Sequence, residues 1–348
     1  MNNREYKYCL PKSGVGNNNE PQEQITKTNS IIIIGANGSG KSRFGAWIED
    51  VMNTSTRRIS AQRSLMFNDS IQLRSYEQAQ MLLETGQENT SNMNRSARWG
   101  GEFINGCFVP TYTTSLLNDY EYVLAAIVAQ WHVEQNQYIE ECKQLELMKA
   151  QHKPVPTMIL DRLKKIWNYV FPHRDISLDD AKVTAKYGAQ EYKGKYMSDG
   201  ERVALYLIAQ VLCAPENKIL IIDEPEIHIH RSIMNRLWSA LEQERIDCLF
   251  IFVTHDTEFA AAHRLSEKIW VKNFNGTTWE WEKVAESGLP DKLLLNLLGN
   301  RKPVLFVEGT ENSYDTKLYQ AIYKSYFVVP CGSCTEVIQR TKAYNATA

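Results

Sequence analysis

Apolar and polar positions fall into short blocks along this chain. Four consecutive isoleucines, at 31–34, run straight into a Gly-rich stretch. An apolar run of that length predicts a strand buried on both faces. An edge strand is expected over 6–10, and 13–29, rich in Gly, Asn, Gln and Thr, reads as a loop. A helix follows over 42–51, then a strand and its exit over 57–66. From 68 to 111 the pattern is weak and polar, which predicts a loop-rich stretch with one amphipathic helix over 76–84. Apolar residues recur at helical spacing over 120–149 and 157–170, and Pro154 and Pro156 separate the two. Further helices are predicted over 202–212 and 231–242, and strands over 218–223 and 248–254. Aromatic and β-branched residues alternate over 269–283 around Asn275-Gly276, the pattern of a hairpin. A short apolar helix over 289–298 and a boundary near 299–303 precede a strand at 304–307, a helix over 313–326 and a strand at 327–330. The alternation of strands and helices predicts an α/β fold, with a helical arm inserted at about 112–190. No internal repeat is visible.

Bulk properties narrow the class. The chain has 348 residues, 43% of them hydrophobic, enough for one large domain or two ordinary ones with a sizeable core. Lys plus Arg is 39 and Asp plus Glu 41, a net charge of -2, so overall charge argues for no nucleic-acid partner while leaving room for a local basic patch. Seven scattered Cys read as reduced thiols rather than a disulfide framework. The N-terminus lacks an apolar signal core. No apolar run approaches the roughly 20 residues of a membrane helix. A cytoplasmic protein without a membrane partner is the expectation.

Four short segments carry the chemistry. Gly35-Ala36-Asn37-Gly38-Ser39-Gly40-Lys41-Ser42 has the full spacing of a phosphate-binding loop. Gly35, Gly38 and Gly40 let backbone N–H groups, Asn37's among them, converge on phosphates, and the following helix adds its positive end. Lys41 then reaches the β- and γ-phosphates of ATP, and the Ser42 hydroxyl holds Mg²⁺. Asp223-Glu224 ends a second apolar strand: an Asp there binds Mg²⁺ and the next Glu polarises the attacking water. Ser198-Asp199-Gly200-Glu201 has capping-box spacing. It reads as a well-capped helix, or as a helix N-terminus in which Ser198 and Gly200 face a γ-phosphate held by a partner subunit; both readings can hold together. His255 follows an apolar strand, where it either contacts the γ-phosphate or simply ends the strand.

Taken in order, these segments resemble the ATP-binding-cassette class of P-loop ATPases. Lys41 and Ser42 match its Walker A, Ser198 to Glu201 its signature, Asp223 and Glu224 its Walker B, and His255 its switch histidine. The signature reads Ser-Asp-Gly-Glu where transporters have Ser-Gly-Gly-Gln/Glu. Asp223-Glu224-Pro225-Glu226-Ile227-His228-Ile229-His230 is similar to the soluble RecF-like and overcoming-lysogenization-defect-like branch, in which the His228/His230 pair belongs to the turn rather than to a metal site. The resemblance spans about 31–256. It implies ATP and Mg²⁺ as cofactors and Gln62 as a further magnesium contact. Glu224 and His255 would be the catalytic pair, with Ser198, Gly200 and Glu201 on the partner's nucleotide. A homodimer or higher homo-oligomer closing around shared ATP sites follows from it.

The stretch Val304-Leu305-Phe306-Val307-Glu308-Gly309, with the helix and strand after it, resembles the first unit of a TOPRIM domain. Glu308 matches the family's first-strand acid. A TOPRIM site also needs a later Asp-x-Asp, and no Asp occurs after Asp315. The expected organisation is therefore an ATPase domain over 1–300 and a partial TOPRIM-like domain over 301–348. Such ATPases accompany TOPRIM nucleases, in cis or in trans, in anti-phage defence, as in retron effectors and the phage anti-restriction-induced system. The resemblance thus implies a sensor ATPase controlling a nuclease. The rival is a DNA-repair or SMC-like ATPase that binds DNA without nuclease activity of its own.

Overall fold

The computed structural model describes residues 4–13, 19–68, 70–87, 96–104, 107–110, 116–179, 181–284, 303–310 and 312–347. They fall into two compact units, Met1–Val51 with Ile251–Ala348, and Met52–Phe250.

In the first unit, strand Ser30–Ile34 is buried along its whole length. Its four isoleucines are each fully excluded from solvent. At about 1.5–3 kcal/mol per buried aliphatic side chain this strand contributes on the scale of a whole domain's net stability, so its place is not negotiable. Strand Glu267–Phe274 lies parallel to it and antiparallel to Trp279–Lys283, with Leu249–Thr254 on its other side. The sheet is therefore mixed. The expected hairpin is present: the Asn275 side chain accepts from Thr277 N (2.9 Å) and Thr278 N (2.8 Å), and Gly276 takes φ 102°. Helix Lys41–Met52 follows the Gly-rich loop. The stretch 13–29 is not all loop, because Pro21–Thr26 pairs antiparallel with Tyr6–Pro11. Strand Pro21–Thr26 is mostly exposed, so it carries none of the apolar signal that reveals a strand.

Strands Val304–Val307 and Phe327–Pro330 run parallel, with helix Tyr314–Ile322 between them in the chain and helix Cys334–Thr347 after them. The intervening helix ends four residues before the expected 326. The helix expected over 289–298 and most of the boundary expected near 299–303 lie outside the described residues.

In the second unit, strand Thr56–Ile59 lies parallel to Ile219–Asp223, both wholly buried. Around them stand helices Tyr76–Thr85, Tyr120–Leu147, Ile159–Val170, Asp199–Leu212 and Arg231–Glu244. Helix Ile159–Val170 buries Ile159, Leu163, Ile166 and Val170, one face at helical spacing. Helix Tyr120–Leu147 is buried only through Ala129; the rest stands largely in solvent. Two expectations need correction. The stretch 68–111 holds a short helix, Ser96–Trp99, and a hairpin, Gly101–Ile104 with Cys107–Pro110. The insertion is not helical throughout: Arg174–Asp179, Lys182–Tyr187 and Gln190–Lys193 form a three-stranded antiparallel sheet. Ile176, Leu178, Val183 and Ala185 alternate with polar residues and turn inward, a period-two signal masked by the dense charge around it. Among the described residues, no helix is long and apolar enough to cross a membrane.

Candidate functional site

In the first unit the Gly-rich loop is shaped by its surroundings. Gly38 and Gly40 have φ 76° and 89°, where an L side chain is strained. A Cβ on Gly40 would also lie 2.5 Å from Phe274 Cβ, and one on Gly35 would lie 2.3 Å from the Val271 carbonyl oxygen. The terminal hairpin thus presses on the loop from both Gly positions. Trp279 Nε1 donates to the Gly40 carbonyl at 3.2 Å, and its ring stacks on Phe274 at 4.5 Å. Arg43 covers Phe274 at 5.5 Å. The Ala36 carbonyl accepts from Ser39 N at 3.1 Å and from Lys41 Nζ at 2.9 Å, so the lysine folds back over its own loop. Asn37, Gly38 and Ser42 are exposed, whereas Lys41 is buried. The Ser39 hydroxyl is fully buried with no hydrogen-bond partner and lies 2.8 Å from where a Cβ on Gly35 would stand. A glycine-bearing loop at a helix start, with an ammonium held over it by its own carbonyl, fits a polyanion such as a nucleotide's phosphates.

His255 is exposed, just beyond strand Leu249–Thr254. Asp256 caps the next helix, accepting from Glu258 N (2.8 Å) and Phe259 N (3.1 Å), which fixes the turn that presents His255. Glu308 is also exposed, at the end of Val304–Val307. Gly309 after it has φ 110°, and a Cβ there would lie 2.5 Å from the Ser313 hydroxyl.

In the second unit, Asp223 closes a buried strand and is itself buried. Its Oδ2 lies 2.7 Å from Arg58 NH1 on the neighbouring strand. Glu224 has φ 48° and His228 φ 63°, left-handed conformations for non-glycine residues. Glu224 is half-buried, and the turn is tied by Ile227 N to Glu224 O at 3.2 Å and by Trp238 Nε1 to Pro225 O at 3.4 Å. Strain of this kind persists only where surrounding packing imposes it, and it concentrates at working sites. His230 caps helix Arg231–Glu244 through Nδ1, which is structural. Among the described residues, no group of three or more His, Cys, Asp or Glu could hold a metal ion. Gln62 sits beyond the end of Thr56–Ile59 with its side chain exposed; its carbonyl accepts from Leu117 N at 2.9 Å. The register Ile59↔Ile222 brings the two strand exits, and so Gln62 and Asp223-Glu224, to the same end of the pair.

Ser198 caps helix Asp199–Leu212 with both arms of a capping box. Glu201 is turned inward: Oε2 receives Ser198 N (2.9 Å) and Oγ (2.7 Å), and Oε1 receives Tyr192 OH (2.6 Å) and Arg174 NH1 (2.5 Å). Burial pushes the Glu201 carboxyl up, but these donors outweigh it and hold it below its ordinary value. Both oxygens of Glu201 are thus engaged inside the chain, and the residue holds Ser198. Ser198 and Asp199 stay exposed, and a Cβ on Gly200 would meet only His228 O at 3.9 Å. The far end of the same helix is held by Arg245, which donates to the carbonyls of Val211 (2.6 Å), Ala214 (2.8 Å) and Pro215 (3.0 Å).

Sequence reasoning missed Arg58, Trp279, and the Arg174–Tyr192 pair on Glu201. One signal was available: Arg57-Arg58 stand in a stretch that reads as a strand, where a charge that becomes buried must find a partner. Arg57 turns to the opposite face and meets Glu84 at 2.7 Å.

For the metal expected with ATP, the first unit offers the Ser42 hydroxyl and the second the Asp223 carboxylate and the Gln62 amide. Each is by itself a hard oxygen of the kind Mg²⁺ takes, so the chemistry of each fits the ion.

Residues 189–261 match the family described as AAA domain, putative AbiEii toxin, Type IV TA system. That stretch holds Ser198, Asp223, Glu224 and His255. It supports an AAA-type, nucleotide-binding ATPase. No curated protein matches the chain. Solved structures to which the chain is similar include an SmcHead bound to the C-winged helix domain of ScpA, at 15% identity, TM-score 0.42, covering 81% of this chain and 97% of that one. An SMC head domain from Thermotoga maritima aligns at 15% identity, TM-score 0.40, over 81% of this chain and 100% of its own. A structure described under ATP-driven dimerization and DNA stimulated activation of SMC ATPases aligns at 16% identity, TM-score 0.32, over 40% and 88%.

Proposed function

We propose that this chain binds and hydrolyses ATP at sites shared between two copies, and that the closed assembly controls a TOPRIM-type nuclease in anti-phage defence. The observation that carries the shared site is the end of helix Asp199–Leu212. Its cap is built and braced from within, yet Ser198 is exposed and a side chain on Gly200 would meet only the His228 carbonyl, at 3.9 Å. A braced, positive helix end with open approach is suited to an anion supplied from outside.

On this reading one chain contributes Lys41 to the β- and γ-phosphates, Ser42, Asp223 and Gln62 to the cation, and Glu224 as the base that orients water. The other contributes Ser198 and Gly200 N–H. Mg²⁺ held by these three residues would supply charge neutralisation at the phosphates. His255 senses the γ-phosphate. Arg174 and Tyr192 connect the inserted sheet to the cap, which gives the insertion a route by which an external event alters ATP closure.

Support for the nuclease half is the parallel βαβ arrangement of 304–330 with exposed Glu308 at the first strand end. In the rival reading the chain is an SMC-like ATPase on DNA; DNA-stimulated turnover without cleavage of any nucleic acid would favour it.

The test is complementation. Lys41→Ala and Ser198→Arg chains are each inactive, but a mixed dimer contains one composite site with neither lesion. Partial recovery of ATPase activity on mixing is expected. No recovery where mixed dimers demonstrably form, with an ATP-bound wild type that stays monomeric in solution scattering, would rule out the shared site.

A further inference from the structure

Arg58 and Asp223 form a diagonal pair on one face of two parallel strands. Arg58 stands opposite Ile221 in the register, and side chains two apart share a face, so Arg58, Ile221 and Asp223 point the same way. Both charges are buried, with side-chain exposures of 0% and 3%, and meet at 2.7 Å. The guanidinium also lies 4.0 Å over the ring of Trp99, itself fully buried. Held between a carboxylate and an indole face, and cut off from water, this cation is fixed in place.

A buried pair of this kind is poor as a source of stability. Desolvating two ions costs about as much as their attraction returns, and well-packed apolar residues would serve the fold as well. Its position is more telling. Asp223 is the carboxylate expected to hold magnesium, and the strand ends there.

We propose that Arg58 is a positioning residue that makes cation binding at Asp223 conditional on nucleotide. This rests on the reading of Asp223 as the metal carboxylate. The Arg58 charge holds the Asp223 side chain in one orientation. It also repels any second cation drawn to the same carboxylate, which must sit within roughly 5 Å of the guanidinium, where like charges interact strongly at protein interior dielectrics. The phosphates of ATP bring the extra negative charge that reverses this balance. The protein thereby takes up its divalent ion as the nucleotide complex and not from bulk magnesium.

The probe is Mn²⁺ followed by electron paramagnetic resonance on the full chain. Wild type is expected to bind Mn²⁺ weakly without nucleotide and tightly once a non-hydrolysable ATP analogue is added. Arg58→Met is expected to bind Mn²⁺ without nucleotide about tenfold or more tighter than wild type, and the Arg58→Met/Asp223→Asn double variant to lose that gain. Arg58→Lys, which keeps the charge, is expected to behave as wild type. Tight, nucleotide-independent Mn²⁺ binding by wild type, removed by Asp223→Asn, overturns the proposal, and this measurement holds even if Arg58→Met does not fold. Unchanged Mn²⁺ affinity in folded Arg58→Met overturns it as well. Failure of the underlying site looks different: the ATP analogue then recruits no Mn²⁺ to wild type, or recruits it equally to Lys41→Ala.

Discussion

Glu201 and Ser198 hold each other. The Glu201 carboxylate receives both the backbone N–H and the hydroxyl of Ser198, while Ser198 Oγ faces Glu201 N at 3.4 Å. The residue that would meet a partner's phosphate is thus oriented by a buried acid three positions on. That acid is in turn oriented by Arg174 and Tyr192.

Acid should undo this arrangement. Glu201 and Asp247 are both held below ordinary carboxylate values. Burial opposes ionisation in each; donors to Glu201, and the Arg245 guanidinium beside Asp247, prevail. A carboxylate with a lowered folded pKa stabilises the fold fully above its unfolded value, about 4. That contribution fades as pH falls through the folded value. Urea midpoints measured from pH 7 to pH 3 should therefore drop below about pH 4, and Glu201→Gln should flatten part of that drop. A wild-type midpoint that does not change between pH 5 and pH 3 would contradict this.

Ser198→Ala removes the cap oxygen and should cost about 1 kcal/mol of stability. Its effect on ATP turnover should be far larger than so small a destabilisation explains. Ser198→Thr, which retains a capping hydroxyl, should recover the stability. Chemical denaturation alongside ATPase assays separates the two effects.

Lys41→Ala removes the ammonium from the phosphate loop and should abolish ATP binding or turnover. Lys41 also donates to the Ala36 carbonyl, so thermal unfolding must be checked in parallel. Nucleotide affinity and hydrolysis equal to wild type in a folded variant would sink the assignment of the loop.

Glu224 combines a proposed catalytic carboxylate with a left-handed backbone. Glu224→Gln should keep ATP binding and slow hydrolysis by roughly 10²–10⁴-fold, with accumulation of the ATP-bound dimer. Glu224→Gly should lose turnover too, yet relieve strain and raise stability by up to about 1 kcal/mol. A stability loss in Glu224→Gly would show that the turn does not store strain at this residue.

Gly40→Ala places a methyl 2.5 Å from Phe274 Cβ at φ 89°. Overpacking and a disfavoured φ together should cost about 2–4 kcal/mol. Phe274→Gly, which removes that Cβ, should restore only the steric share. Comparing the two variants and their double by thermal unfolding isolates the backbone contribution.

The four isoleucines before Gly35, the apolar run into Asp223-Glu224 and the Ser198-to-Glu201 spacing were legible in the sequence because each rests on local physics. A buried strand needs an unbroken apolar run, a phosphate loop needs glycines at set intervals, and a cap needs an oxygen three residues before its acid. The hairpin around Asn275-Gly276 was legible for the same reason. What only the tertiary structure decided involves partners distant in sequence. Arg58 is simply a charge in a strand until parallel register sets it diagonal to Asp223, 165 positions away. Trp279 reaches Gly40 across 239 positions. The sheet of 174–193 has to fold before Arg174 and Tyr192 can converge on Glu201. Local sequence specifies elements through short-range sterics and burial. The pairing of buried charges is settled only when those elements pack and water is removed.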